Sequence, residues 1–284
     1  MKSMAVSLII CTRNRARYLS DTLGKLVLLQ NPESRELLLV DNGSTDDTKA
    51  AIEQYRNKIP GKLISLAEPQ AGVARARNLG WKTSGNPFIA FIDDDCYPDP
   101  YYLDAVIKCF EEDTRLGFIG GRVLLYDPSD YRLTIQEETQ RKELPPGTFI
   151  PAGFIHGANF AFRRAALESV GGFDENFGPG SLFRSGDDVE ILARMSAAGW
   201  YGAYDPRLLV YHHHRRKEGI EIFALMERYD YGRGAYYAKC LLNPRLRITY
   251  LKHWCRRIRT QPLRRTTREI ISASRYMMWA AISR

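Results

Sequence analysis

The chain has 284 residues and a hydrophobic content of 44%, which is enough to bury a large core and excludes a mostly disordered protein. Its 41 basic and 33 acidic residues give a net charge of +8, which favours an anionic partner such as a nucleotide or acidic lipid headgroups. None of the five cysteines forms a C-x-x-C pair, so a structural zinc site and a redox motif are both disfavoured.

The N-terminal region predicts a buried strand rather than a targeting signal. Its apolar run is short, and Arg13, Arg15 and Arg17 follow it without a small-residue cleavage site. The sequence also lacks the roughly 18 uninterrupted apolar residues of a membrane-spanning helix. An odd number of widely spaced cysteines is typical of reduced thiols. We therefore expect a cytoplasmic location, with peripheral contact at the inner face of the cytoplasmic membrane left open.

Strand-like and helix-like segments alternate along the first hundred residues, which predicts an α/β fold with a mostly parallel sheet sandwiched by helices. Apolar runs predict strands at residues 6–11, 37–40, 62–66 and 87–92. Helical spacing predicts helices at residues 17–29 and 73–83, and a third between residues 44 and 60. Because ligands bind at the carboxyl ends of parallel strands, the polar segments that follow these strands are expected to share one edge. A dinucleotide site is disfavoured, since no G-x-G-x-x-G follows the first strand.

The pattern loosens after residue 100. Helices are predicted at residues 101–112 and 189–198, strands at residues 118–125 and 208–211, and an irregular excursion at residues 127–153. We divide the chain into residues 1–100, residues 101–218 and a helical tail at residues 219–284.

The tail is predicted to be a basic amphipathic helical segment. From Arg245 to Arg284 it carries eleven lysines and arginines and a single acid, Glu269. Such a pattern favours contact with an anionic membrane surface. Packing against the rest of the chain or against a second subunit is an alternative, so a homo-oligomer is left open. Nucleic-acid binding is not expected, because no recognisable module supports it.

Three adjacent acids, Asp93, Asp94 and Asp95, directly follow the fourth predicted strand. In an extended chain Asp93 and Asp95 point to one side and Asp94 to the other. Two carboxylates on one side form a hard-oxygen site for Mn²⁺ or Mg²⁺, which bridges phosphate oxygens. A solvated acidic turn is the alternative interpretation of such a run taken alone.

Seven segments, in order, resemble glycosyltransferase family 2, whose members have the GT-A fold, a Rossmann-like arrangement. The segments are residues 6–12, 39–46, 71–80, 91–95, 157–159, 171–175 and 186–188. The resemblance implies an inverting, metal-dependent transferase of hexosyl type. Its donor would be a nucleotide sugar, UDP-linked by default, and its acceptor a hydroxyl of a glycan or lipid-linked molecule. Residues 1–100 would be the nucleotide-sugar-binding half of the GT-A domain and residues 101–218 its acceptor-binding half. Cell-envelope polysaccharide or glycoconjugate synthesis is the expected setting.

The resemblance also implies roles for individual residues. We expect the nucleotide sugar to be held by side chains at or near strand ends: Thr12, Arg13, Asp41, Arg77, Asp93 and Asp94. Asp95 is expected to be the direct metal ligand of a D-x-D motif, with Asp93 beside it. His212 ends a predicted strand and is expected to complete the metal site, although a surface histidine is an equal alternative.

Asp187 and Asp188 open a predicted helix after the glycine-rich segment 178–186. The family usually has Glu-Asp here, with the second acid as general base, whereas this sequence has Asp-Asp. We therefore predict that Asp188 takes the proton from the acceptor hydroxyl, with Asp187 as the alternative. Attack opposite the leaving group gives inversion. Helix capping by both acids is the structural alternative.

Two other functions are weighed against glycosyl transfer. A nucleotidyltransferase that makes a nucleotide sugar would need a glycine-rich triphosphate loop after the first strand, and residues 11–14 lack glycine. A non-catalytic, membrane-associated GT-A scaffold would not need acids at 93, 95, 187 and 188. The sugar, the nucleotide base and the acceptor are not identified by the sequence.

Overall fold

A computed structural model describes residues 6–283 of the chain. In the first part, short runs of apolar residues form strands and amphipathic segments form the helices between them. These elements are β1 (Val6–Thr12), α1 (Ala16–Leu26), β2 (Arg35–Asp41), α2 (Thr48–Tyr55), β3 (Lys62–Ala67), α3 (Val73–Thr83), β4 (Phe88–Asp93), β5 (Cys96–Pro98) and α4 (Tyr102–Glu112).

The second part continues the sheet and ends in three helices. Its elements are β6 (Leu116–Leu125), β7 (Lys142–Leu144), β8 (Asn159–Arg163), α5 (Arg164–Ser169), α6 (Asp187–Ala197), β9 (Tyr201–His212), α7 (Ile220–Leu242), α8 (Arg247–Thr260) and α9 (Leu263–Ile282). The excursion predicted at residues 127–153 contains β7, which pairs with β9. Over residues 6–283, no helix combines the length and apolarity that crossing a bilayer requires.

All the described strands belong to one sheet with the order β3-β2-β1-β4-β8-β6-β9-β5, and β7 pairs with β9. β1 is parallel to β2 and β4, and β2 is parallel to β3. β8 runs antiparallel between β4 and β6, and β9 is parallel to β6. The carboxyl ends of β1, β2 and β4 therefore meet at one edge. The predicted α/β architecture, with parallel strands at its centre, is confirmed.

Helices cover both faces of the sheet because the side chains of each strand alternate between two apolar cores. Leu8 and Ile10 of β1 belong to the core that packs on α1, α2 and α4. Ile9 belongs to the core that packs on α3, α5 and α6. The sheet is thus fixed on both sides, and the ends of its strands are held rigidly.

The acids after β4 do not lie in extended chain. β4 ends at Asp93, Asp94 and Asp95 form a turn, and β5 begins at Cys96. The expectation that Asp93 and Asp95 point to one side and Asp94 to the other is therefore wrong, because side-chain alternation requires an extended backbone. In this turn Asp94 and Asp95 share Arg15 as a partner, whereas Asp93 contacts Arg77.

The tail packs against the rest of the chain. Tyr236, Tyr250 and Tyr276, one from each tail helix, join a third apolar core with Phe177 and Phe183. Val189, Ala193 and Ala197 of α6 complete this core. Packing against the body of the protein, which was an alternative at the sequence level, is thus a feature of the fold. The division into three segments at residues 100 and 218 stays a prediction.

Candidate active site

A cleft of about 590 Å³ opens at the carboxyl ends of the central strands. It is lined by nine of the ten residues that the sequence predicts for the site: Thr12, Arg13, Arg77, Asp93, Asp94, Asp95, Asp187, Asp188 and His212. Asp41 ends β2 beside the cleft, and its Oδ1 accepts a hydrogen bond from the Ser44 backbone N–H at 3.0 Å. Its neighbour Asn42 lines the cleft instead. The role of Asp41 as a ribose contact stays a prediction.

Arg15 holds two of the three acids. Its Nε lies 3.2 Å from Asp94 Oδ1, and a terminal nitrogen lies 3.0 Å from Asp95 Oδ2. Thr12 donates a hydrogen bond to the other oxygen of Asp94 at 2.6 Å. Burial raises the pKa of Asp94 to about 7, although Arg15 and Thr12 act in the opposite direction. Asp94 is thereby engaged by protein groups on both carboxylate oxygens.

Asp95 and His212 lie side by side with the geometry of two ligands of one ion. His212 Nε2 is 3.2 Å from Asp95 Oδ1. Two neighbouring ligands with metal bonds of about 2.1 Å lie about 3.0 Å apart in octahedral geometry. Burial acts to raise the pKa of Asp95, but His212 and Arg15 outweigh it and hold that pKa well below its ordinary value. The pair therefore fits Mn²⁺ or Mg²⁺.

The third potential ligand in this cluster is Cys96, whose ligand atom lies within 4.8 Å of those of Asp95 and His212. Cysteine sulfur is a soft ligand, whereas Mn²⁺ and Mg²⁺ prefer hard oxygen ligands, so Cys96 is a poor match for these ions. Among the residues described, Asp93 does not belong to this cluster. Its carboxylate contacts Arg77 instead, at 3.2 Å.

Arg77 connects the two ends of the cleft from a buried position on α3. Its guanidinium forms an ion pair with Asp187, contacts Asp93, and donates to the Gly157 carbonyl oxygen at 3.2 Å. The guanidinium also lies 5.1 Å from the centroid of the Phe160 ring. Because its donors face protein groups, Arg77 fixes the positions of the two acids.

Asp187 and Asp188 begin α6 but have different surroundings. Burial raises the pKa of Asp187 to about 6, against the effect of Arg77. Asp188 Oδ2 accepts a hydrogen bond from the Gly157 N–H at 3.1 Å, and Oδ1 accepts one from the Val189 N–H at 2.8 Å. No side-chain cation among residues 6–283 pairs with Asp188. Its carboxylate is therefore the one that remains available to a ligand.

His156 lines the same cleft, and its ring interacts electrostatically with both Asp188 and His212. Burial lowers its pKa to about 4, so the imidazole is neutral near pH 7. Its Nε2 is buried without a hydrogen-bond partner in the described part of the chain. A buried ring nitrogen of this kind is suited to a hydrogen bond with a sugar hydroxyl.

Sequence reasoning missed several cleft residues. No site role is predicted from the sequence for Arg15, which lies three residues beyond β1. The sequence predicts the tail as a segment separate from the site. In the structure, α7 forms one wall of the cleft through Leu225, Met226, Arg228 and Tyr229. The periodicity of α7 shows that it is a helix, but no local signal in the sequence indicates what the helix packs against.

Residues 7–171, more than half of the chain, match the family described as Glycosyl transferase family 2. The chain belongs to glycosyltransferase family 2. The predicted family is thereby confirmed, and this membership favours glycosyl transfer over the nucleotidyltransferase and scaffold alternatives.

Curated relatives of this family 2 glycosyltransferase include the hyaluronan synthase of Pasteurella multocida. It is 26% identical over 244 residues, which are 74% of this chain and 24% of the relative. Glycosyltransferase AglE of Haloferax volcanii is 28% identical over 196 residues, 69% of this chain and 62% of that protein. The chain thus spans less than two thirds of the length of either relative.

Solved structures agree with the GT-A fold of this family 2 glycosyltransferase. S. aureus TarS in complex with UDP has a TM-score of 0.62 at 19% identity, and the match covers 87% of this chain and 68% of that one. The mannosyltransferase PcManGT from Pyrobaculum calidifontis, in complex with GDP-Man and Mn²⁺, has a TM-score of 0.62 at 20% identity. That match covers 97% of this chain and 83% of the other.

Proposed function

We propose that the chain is an inverting, metal-dependent glycosyltransferase that moves a sugar from a nucleoside-diphosphate donor, by default UDP-linked, to a hydroxyl group. The observation that carries the proposal is that the Asp95–His212 pair and the free carboxylate of Asp188 line the same cleft. Arg77 connects the two ends through Asp93 and Asp187. A metal site and a general base are thus held in one rigid frame.

Asp95 and His212 would hold Mn²⁺ or Mg²⁺ at the donor end. When bound, the ion neutralises the charge that develops on the diphosphate leaving group. Arg13 and Arg216 line the same end and supply guanidinium donors for phosphate oxygens. S. aureus TarS in complex with UDP-GlcNAc and the P. calidifontis enzyme in complex with GDP-Man and Mn²⁺ support a nucleotide-sugar donor and a metal ion for this chain.

Asp188 would act as the general base at the acceptor end. The Gly157 and Val189 N–H groups orient its carboxylate. It accepts the acceptor's hydroxyl proton as the oxygen attacks the anomeric carbon on the face opposite the leaving group, which inverts the configuration. Asp187 holds Arg77 and is a positioning residue in this proposal.

The test is a donor screen with the purified chain. UDP- and GDP-sugars are incubated with and without Mn²⁺, and release of the nucleoside diphosphate is measured, with NMR of the anomeric proton in any product. The proposal expects release that depends on metal and a product of inverted configuration. Release that is unaffected by chelation would contradict the metal role, and retention of configuration would contradict the role of Asp188.

We further propose a glycan or lipid-linked acceptor in polysaccharide or glycoconjugate synthesis, at the cytoplasmic face of a membrane. Relatives named as hyaluronan synthase and chondroitin synthase support a polysaccharide setting. The exposed face of α9 carries four apolar residues, Ile270, Ile271, Met277 and Met278. Exposed Lys252, Arg256 and Arg259 on α8 supply positive charge complementary to anionic lipids.

A further inference from the structure

The cleft contains more arginine side chains than its own acids engage. Of the seven arginines that line it, Arg15, Arg77 and Arg233 pair with carboxylates. The other four, Arg13, Arg184, Arg216 and Arg228, have no carboxylate partner within residues 6–283. Unpaired guanidinium groups gathered in a cleft create a positive potential that attracts anions.

These four arginines form two groups. Arg13 follows Thr12, and Arg216 is close enough to Asp95 to lower the pKa of that carboxyl, so both lie at the donor end. Arg184 and Arg228 come from other elements that line the cleft, the segment before α6 and α7. One pair is therefore placed for the donor diphosphate, and the other pair is not accounted for by the donor.

The segment that carries Arg184 packs against the part of α7 that carries Arg228. The Arg184 guanidinium stacks 4.6 Å from the centroid of the Tyr231 ring, and Tyr231 lies one helical turn beyond Arg228 on α7. Ser185 Oγ donates to the Arg228 carbonyl oxygen at 3.0 Å, which fixes the segment against the helix. Asp188, the proposed base, follows three residues after Ser185.

The backbone of Arg184 has a φ of 65°, in the left-handed region that side chains other than glycine seldom adopt. Phe183 on one side is buried in the third apolar core, and Ser185 on the other is fixed to α7. The guanidinium of Arg184 is therefore presented at the cleft from a constrained position, not from a flexible loop tip.

We propose that Arg184 and Arg228 form an anion subsite that selects acceptors carrying a phosphate or carboxylate near the hydroxyl that is glycosylated. The proposal rests on the function proposed above. Guanidinium groups match phosphate and carboxylate oxygens through paired, charge-assisted hydrogen bonds. An acceptor with such a group would bring its hydroxyl to Asp188, and a neutral sugar would leave both cations without a partner.

Isothermal titration calorimetry with three soluble probes tests the subsite. Methyl glucoside is neutral, methyl glucuronide carries a carboxylate, and glycerol 1-phosphate carries a phosphate. Each is titrated into the chain saturated with UDP or GDP and Mn²⁺, and again without nucleotide. We expect at least one anionic probe to bind about tenfold or more tightly than methyl glucoside. The preferred anion identifies the source as a uronate or a phosphate ester.

Three variants complete the test. Arg184→Gln and Arg228→Gln are each expected to remove the advantage of the anionic probe. Arg17→Gln is the matched control, because Arg17 also stacks on a tyrosine, 5.2 Å from Tyr18, but lies outside the cleft. Equal affinity for charged and neutral probes, or an anion preference that survives both substitutions, overturns the subsite. Failure of nucleotide and Mn²⁺ to bind would instead contradict the proposed function, and the titrations without nucleotide would still decide the subsite.

Discussion

Arg77 on α3 and Asp187 at the start of α6 form a buried ion pair between elements that are 110 residues apart in the sequence. The same guanidinium contacts Asp93 at the end of β4. One side chain therefore sets the distance between the turn that holds Asp95 and the helix that presents Asp188. In the proposed reaction, the position of the metal ligand and the position of the general base both depend on this ion pair.

Two substitutions of Arg77 test separately how much it stabilises the fold and how much it positions the two acids. Arg77→Met would leave the buried carboxylate of Asp187 and the partly exposed carboxylate of Asp93 without their cation. We expect the free energy of unfolding to fall by roughly 3–5 kcal/mol in urea denaturation. Arg77→Lys keeps the charge but cannot reach Asp93, Asp187 and the Gly157 carbonyl together. It should lose less stability while turnover falls about tenfold or more.

The control for Arg77 lies two residues away on the same helix. Arg75 pairs with Glu175 at 2.7 Å, but both side chains are 38% exposed. Arg75→Met should therefore change the free energy of unfolding by less than about 1 kcal/mol. If Arg77→Met were as stable as Arg75→Met, the buried link would not have the importance given to it here.

The metal site is tested by Mn²⁺ titration in the presence of UDP. Asp95→Asn and His212→Asn each remove one proposed ligand and should weaken Mn²⁺ binding about a hundredfold, in the range of losses at metal sites. Cys96→Ala should keep the affinity, because cysteine sulfur is a soft ligand and Mn²⁺ is better matched by carboxylate and imidazole ligands. Strong loss in Cys96→Ala would point to a different ligand set and a softer metal.

Asp187 and Asp188 should respond differently to the same substitution. Asp188→Asn is expected to lower kcat by about 10²–10⁴-fold while the Kd for UDP is unchanged, since it removes a proton acceptor. Asp187→Asn deprives Arg77 of its buried partner and should mainly lower the free energy of unfolding. Steady-state kinetics and urea denaturation of both variants decide the assignment. A larger kcat effect for Asp187→Asn would exchange the two roles.

Lys239 on α7 joins the tail to the body by contacting Asp174 at 2.6 Å and Glu190 at 2.5 Å. Burial acts to raise the pKa of Asp174, but Lys239 and Asn176 outweigh it and hold that pKa below its ordinary value. A depressed pKa contributes stability above the unfolded value, and the contribution disappears as the pH falls through the folded value.

Lys239→Met should therefore destabilise the chain by roughly 2–4 kcal/mol at pH 7. The difference from the wild type should shrink below about pH 4, where Asp174 takes up a proton. Thermal unfolding at pH 7, 5 and 3.5 measures it. Lys108→Met is the control, because Lys108 forms only an exposed contact with Glu112 at 3.9 Å. A pH-independent difference would contradict the electrostatic explanation.

The membrane proposal predicts binding that depends on lipid charge. The chain should sediment with vesicles containing phosphatidylserine and remain in solution with phosphatidylcholine alone. Ile271→Ser combined with Met278→Ser should weaken this binding, because both apolar side chains are more than half exposed on α9. Leu28→Ser changes a residue of similar exposure, 54%, just after α1. If the double variant and Leu28→Ser bound the phosphatidylserine vesicles equally well, α9 would be removed from the proposal.

The parallel half of the sheet and the acids at its edge could be predicted from the sequence. Buried strands have continuous apolar runs, as residues 37–40 and 88–92 do, and parallel strands end at one edge. The turn at Asp94 and Asp95 could not, since the same three letters fit an extended strand. Its geometry is set by Arg15 and Thr22, which come from distant positions.

The packing partner of the tail is the second feature that could not be predicted from the sequence. Its apolar and basic faces predict helices, but amphipathic periodicity is the same whether the apolar face meets a membrane or the protein itself. Glu269, the only acid after Arg245, is fully buried and accepts hydrogen bonds from Arg233 and Trp254. Partners at such separations in the chain leave no local pattern.

The position of α7 separates two parts of the proposed site. α7 lines the cleft through Leu225, Met226, Arg228 and Tyr229, whereas Thr12, Asp93 and His212 belong to β1, β4 and β9. Under the proposed function, substitutions along this one helix would change the choice of acceptor and leave the residues proposed for nucleotide and metal unchanged. Chimeras that exchange this helix between relatives would be a direct route to altered acceptor choice.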